Sequence, residues 1–110
     1  THKNNKARLS AQRETIENAR EVFLFNNKLE EIQQNENINR YQTMMKSDDE
    51  IIVLRTNVRK AAESKLTHGI IDVISLLREI NNENAAKTQQ SIHEIDMLKE
   101  MYNLKYTNNE

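Results

Sequence analysis

The chain has no cysteine, no proline, no tryptophan and a single glycine in 110 residues. Without cysteine there are no disulfides and no thiolate chemistry, and the redox compartment stays open. Without proline, and with Gly69 the one glycine, a chain of helix formers has one obvious place to reverse direction: Lys65-Leu66-Thr67-His68-Gly69-Ile70-Ile71. Charge of one sign is lacking too. Sixteen Lys and Arg against 17 Asp and Glu leave a net charge of −1, so no basic field argues for nucleic acid and no polybasic run for a membrane surface. No apolar run approaches the roughly 18 residues of a spanning helix, and nothing in this chain is expected to enter a bilayer. The chain opens Thr1-His2-Lys3-Asn4-Asn5, with neither an initiator Met nor a signal peptide, and so reads as an excised segment of a longer protein.

What is present is periodicity. Leu9, Ile16, Ala19, Val22/Phe23, Leu29, Ile32, Ile38, Tyr41 and Met45 recur at threes and fours, and the pattern resumes at Ile51/Ile52, Leu54, Val58, Ala61/Ala62 and Leu66. That spacing lines one side of a helix. After Gly69 a second stripe runs Val73, Ile74, Leu77, Ile80, Ala85, Thr88, Ile92, Ile95, Leu98 and Tyr102. Asp72 is expected in the first turn of this second helix, against its free N–H groups, with Lys99 and Lys105 toward its negative end. The fold class that follows is all-α: a long antiparallel coiled-coil hairpin with a helix over about 5–66, a turn at 67–71 and a helix over about 72–106.

The two lengths do not match. At 1.5 Å per residue the first helix extends roughly 90 Å and the second roughly 50 Å. A hairpin closing at Gly69 covers only about residues 32–66 of the first helix. Leu9, Ile16, Ala19, Val22, Phe23 and Phe25 are then left with nothing in this chain to pack on. A two-helix hairpin has no closed interior, so association beyond it is expected.

The residues around the turn, Leu66-Thr67-His68-Gly69-Ile70-Ile71-Asp72-Val73-Ile74-Ser75-Leu76-Leu77-Arg78-Glu79, follow a long helix with an apolar-x-x-Gly element. A helix opening with small, polar and branched residues before Leu-Leu comes next. Together with Asp49-Glu50-Ile51-Ile52-x-Leu54-Arg55 before it, and Asn81 to Ala86, His93-Glu94-Ile95 and Tyr102-Asn103-Leu104-Lys105 after it, this resembles the periplasmic C-terminal hairpin and tip of TolC-like outer-membrane efflux proteins. The resemblance covers nearly all of the chain. It implies that residues 1–110 are a single helical hairpin, a fragment of the periplasmic α-barrel of a larger channel in the cell outer membrane. That channel is a homotrimer which passively exports small molecules or proteins, with a periplasmic adaptor docked on it and an inner-membrane transporter engaged indirectly. Shorter helices stacked end to end elsewhere in such a protein would cover Leu9 to Phe25.

The resemblance further implies an adaptor-docking tip at Thr67, His68, Gly69 and Ile70. Family gates use an Arg two residues after the tip glycine, an Asp six after it and an aromatic residue three before it. Here those positions hold Ile71, Ser75 and Leu66. A polar gate of that kind is therefore not expected, and a constriction involving Leu66, Ile71 and Ser75 is, with Leu66, Ile70 and Ile71 as the closing surface.

The alternative is a structural or signalling coiled coil. Ser91-Ile92-His93-Glu94-Ile95 echoes the phospho-accepting His-Glu of sensor-kinase dimerisation hairpins, which are also antiparallel helices. Those hairpins place the His on the first helix and follow it with a kinking Pro; here His93 is on the second helix and there is no Pro. A solvent-facing or inter-helix His93, paired locally, is the expected arrangement. His93 and Met97, at i and i+4, are too few for a metal site, and His2 and His68 lie far away in sequence. Asp48-Asp49-Glu50 reads as a solvated face or a heptad irregularity between Met45 and Ile51. Met44, Met45, Met97 and Met101 read as packing residues. No nucleophile with its base and no phosphate-cradling loop is present, so neither enzymatic activity nor a cofactor is expected. Fifteen Asn residues, poor helix formers, suit a wall with one face toward an aqueous lumen, and suit a compositional bias of the source equally well.

Overall fold

In a computed structural model, which describes residues 1–108, the chain forms two helices, α1 (His2–Thr67) and α2 (Val73–Asn108). They pack antiparallel as one hairpin measuring 99 × 19 × 16 Å, and no strand occurs among the described residues. The helices are slightly longer than periodicity suggested. α1 begins at His2 instead of about residue 5, and the turn is 68–72 instead of 67–71.

The turn's position follows from two local devices. Gly69 takes φ +71°, the left-handed region where a side chain is strained. Its N–H donates to the Leu66 carbonyl at 2.9 Å and the Ile70 N–H reaches back to the Lys65 carbonyl at 2.8 Å. These are the two bonds of a Schellman cap, which satisfies the last carbonyls of α1 and requires Thr67 to remain helical. On the other side Asp72 does not lie in the first turn, as expected from sequence, but is the cap residue itself. Its Oδ1 accepts the Ser75 N–H at 2.8 Å, so the helix starts one residue later, at Val73. The Ser75 side chain, and after it that backbone bond, hold the Asp72 carboxyl below its ordinary value.

The seam follows heptads on both helices. On α2 two rows are covered by α1: Leu76, Glu83, Gln90, Met97, Leu104 and Glu79, Ala86, His93, Glu100, Thr107. On α1 the matching rows are Glu31, Ile38, Met45, Ile52, Arg59, Leu66 and Asn27, Gln34, Tyr41, Asp48, Ala62. Steps of seven are what a left-handed helix pair requires. The contents of these rows are unusual. The buried apolar residues among those described are Ile38 and Ala62, whereas Gln34, Asp48, Glu83 and Thr107 are buried polar groups.

The apolar stripe of α2 is elsewhere. Leu77 and Ile95 are each 51% exposed, and Val73, Ile74, Ile92, Leu98 and Tyr102 are exposed with them. Leu77, Ala86, Ile95 and Leu104 are spaced by nine residues, two and a half turns. Each step therefore alternates between the stripe and the seam, and the two lie on opposite sides of α2. On α1 the seam ends near Asn27, and Leu9, Ile16, Phe23 and Phe25 beyond it are exposed, as the length mismatch predicts. The accessible surface is 8830 Å², against about 6,300 Å² for a compact monomer of 13.0 kDa. The extra area is mostly helix face that no other part of this chain covers.

Candidate functional site

The tip presents Thr67, His68, Gly69 and Ile70 to solvent. Each is held by the end of α1. The Thr67 hydroxyl donates to the Glu63 carbonyl at 3.0 Å, and the His68 backbone N–H and ring Nδ1–H both donate to the Ser64 carbonyl, at 3.1 and 2.7 Å. A Cβ built on Gly69 would meet no atom within 4 Å, so the glycine is an open notch in the surface. Beside it Ile70 is 70% exposed, an apolar side chain at the apex of a polar turn. The tip is thus a hydrogen-bonded, solvent-exposed backbone turn with one apolar side chain at its centre.

Leu66, Ile71 and Ser75 are placed differently. All three are half-buried, and Ile71 and Ser75 share a groove with Val58 and Ala62 between the two helices. Ile71 precedes the cap and Leu76 lies four residues into α2, the two positions of a hydrophobic staple. Ile71 therefore closes the base of the turn, while Ile70, its neighbour in sequence, points into solvent.

Above the tip the seam is crossed by four polar pairings. Nearest the turn, Arg59 Nε donates to Glu83 Oε2 at 2.9 Å, with Arg59 Nη1 on Glu63 Oε1 at 3.0 Å and Lys87 Nζ on Glu83 Oε1 at 3.3 Å. The Arg59 hydrogen bond holds the Glu83 carboxyl below its ordinary value despite its burial, and the two carboxylates raise Arg59 in turn. At mid-seam His93 Nδ1 lies 2.6 Å from Asp48 Oδ2, and the Gln89 amide nitrogen lies 3.0 Å from His93 Nε2. A carboxylate only accepts, which assigns the hydrogen to Nδ1 and leaves Nε2 to accept from Gln89. One turn away the Gln90 amide donates to Asp49 Oδ1 at 2.6 Å and to the Met45 carbonyl at 3.2 Å. At the far end Gln34 Nε2 donates to Thr107 Oγ1 at 3.2 Å.

His93 is thus an inter-helix residue with both ring nitrogens engaged. Asp49 and Glu50 are solvated as expected, but Asp48 is not, and no irregularity separates Met45 from Ile51: Met45, Asp48 and Ile52 keep the three-four spacing and Asp48 sits in the seam. Met45 and Met97 are half-buried packing residues there, while Met44 and Met101 face outward. Among the described residues no three His, Asp or Glu side chains converge as metal ligands. No described helix is long and apolar enough to cross a membrane. Apolar counting could not find Arg59, Glu83, Asp48 or Gln34. Seven-residue rows on α2 do hold Glu83, Gln90, His93 and Thr107 among Leu76, Ala86, Met97 and Leu104, but the α1 partners are found only from the pairing of the two helices.

No family model, no curated protein and no solved structure matches this chain.

Proposed function

We propose that this hairpin is a periplasmic wall segment of a trimeric, TolC-like outer-membrane efflux channel, a passive conduit driven by an inner-membrane transporter through a periplasmic adaptor. The observation that carries the reading is that the seam of α2, covered by α1, and its exposed apolar stripe lie on opposite sides of the helix. In a globular bundle the buried faces of a helix lie side by side and converge on a common core. A helix with contact faces back to back belongs to a layer one helix thick, with a neighbour on either hand, which is the construction of an α-barrel wall. The uncovered stretch of α1 from Leu9 to Phe25 fits the same picture, since its exposed apolar residues have no partner in this chain and suit another helix laid end to end with α2.

In this reading Thr67, His68, Gly69 and Ile70 meet the adaptor's helical hairpin. Gly69 admits close backbone approach and Ile70 supplies the apolar contact. Leu66, Ile71 and Ser75, half-buried where the two helices meet, back the exposed Ile70 at a narrowing of the tip, so closure is apolar and not ionic. The test is single-channel conductance of the complete protein carrying Ile71→Asp. A charge in an apolar constriction favours hydration and raises conductance; conductance equal to that of the unaltered channel would sink the constriction, and failure of the complete protein to form any pore would sink the channel reading.

A further inference from the structure

We propose that the polar pairs of the seam form a register lock: they select one alignment of α1 against α2 and contribute little net stability. Three of the four crossings agree closely; the fourth, Gln90 on Asp49 at the exposed edge of the seam, has numbers that add to 139. Gln34 with Thr107, Asp48 with His93 and Arg59 with Glu83 have residue numbers that add to 141 or 142, so all report the same alignment. They also differ in kind. The first joins an amide and a hydroxyl, the second has its carboxylate on α1, and the third has its carboxylate on α2. Interchanging partners along the seam therefore gives mismatches.

The heptad pattern alone permits slippage, because every apolar row repeats after seven residues. A slip of one heptad in either direction puts Asp48 opposite Ala86 or Glu100 and Arg59 opposite Leu76 or Gln90. Glu83 then falls opposite Ile52 or Leu66, and His93 opposite Tyr41 or Arg55. Both slips break all three pairs and leave buried charges unpaired or against a like charge, which is strongly unfavourable. Replacing a buried polar pair by well-packed apolar residues, by contrast, is often neutral or stabilising. The pairs therefore act against wrong alignments more than for the right one.

The turn also favours this alignment, so the test must relax it. A flexible Gly-Ser insertion of about ten residues between Ile70 and Ile71 lets the helices slide. Because the chain has no cysteine, introduced pairs report alignment cleanly by disulfide formation at high dilution. Met45→Cys with Met97→Cys reports the native register, and Met45→Cys with Leu104→Cys a one-heptad slip. With the natural seam, native cross-linking exceeds slipped cross-linking by about tenfold or more; with leucine at 48, 59, 83 and 93 the two come within about threefold, while the thermal midpoint is unchanged or higher. Comparable yields with the natural seam, or native cross-linking alone with the leucine seam, overturn the proposal. If the leucine seam does not fold, charge reversal decides. Arg59→Glu alone lowers the native yield and Arg59→Glu with Glu83→Arg restores it; no restoration also overturns the lock.

Discussion

Replacing Gly69 with alanine separates what its backbone does from what its missing side chain does. At φ +71° an alanine costs about 1–2 kcal/mol relative to glycine, offset by about 0.4–1 kcal/mol because alanine restricts the unfolded chain. The net loss is about 1 kcal/mol, a fall of roughly 5 °C in thermal midpoint for a chain of this size. Because a Cβ at this position meets nothing within 4 Å, further bulk has nothing to collide with. Gly69→Leu should therefore melt within about 2 °C of Gly69→Ala, and Gly69→Asn should lose about half as much, since Asn tolerates the left-handed region. Circular dichroism melts of the three variants supply the assay. Alanine without effect, or leucine much worse than alanine, would refute a cost set by the backbone. If the proposed channel reading holds, the same series should behave differently in the complete protein, with adaptor docking and export falling as the side chain at 69 grows. Undiminished export by Gly69→Leu would remove the docking role while leaving the turn argument intact.

Three further outcomes follow from the seam and the turn. The folded-state carboxyls of Glu83 and Asp72 are held below their ordinary values of 4.5 and 3.8, so each contributes stability above those values and loses it as pH falls through its folded value. Melts from neutral pH downward should stay level until about pH 4.5 and then decline, and Glu83→Gln should flatten the decline. Asp72→Ala should lower the midpoint by about 5 °C, with Asp72→Asn recovering most of it, because Asn caps as well as Asp; equal losses would mean the Ser75 N–H is not the partner that matters. Leu77→Gln with Ile95→Gln should leave the melting of dilute chain within about 2 °C, since both side chains face away from α1, yet reduce self-association in sedimentation at higher concentration.

Much of the architecture was legible because it depends on local signals. The hairpin, its off-centre turn at Gly69 and the unpaired length of α1 all follow from one breaker and two periodic stretches. Asp72 is the cap and not a first-turn residue, and a lone Asp before an apolar run is compatible with either position. The seam was the part not legible. Apolar residues at threes and fours identify a face that avoids water, but not which neighbour covers it. Val73, Ile74, Leu77, Ile92, Ile95 and Leu98 do make a face, yet α1 packs on the other one. Asp48 was assigned to solvent for the same reason: its partner His93 is 45 residues away, and a pairing of that range leaves no local trace.

The inverted distribution of polarity has its own physical logic. Coiled-coil hairpins commonly bury apolar rows between their helices and leave charge outside, which makes them stable alone. Here Arg59, Glu83, Asp48, His93, Gln34 and Thr107 lie between the helices, and Leu77, Ile95, Leu98 and Phe23 lie outside. Polar pairs add little net stability but tolerate only one alignment, whereas exposed apolar rows tolerate many alignments but associate strongly once a partner is present. A chain built this way divides the two tasks. Its own seam defines how α1 and α2 align, and its exposed apolar faces are left to associate with whatever helix meets them. The prediction that Leu77→Gln with Ile95→Gln disrupts assembly without unfolding the hairpin tests that division directly.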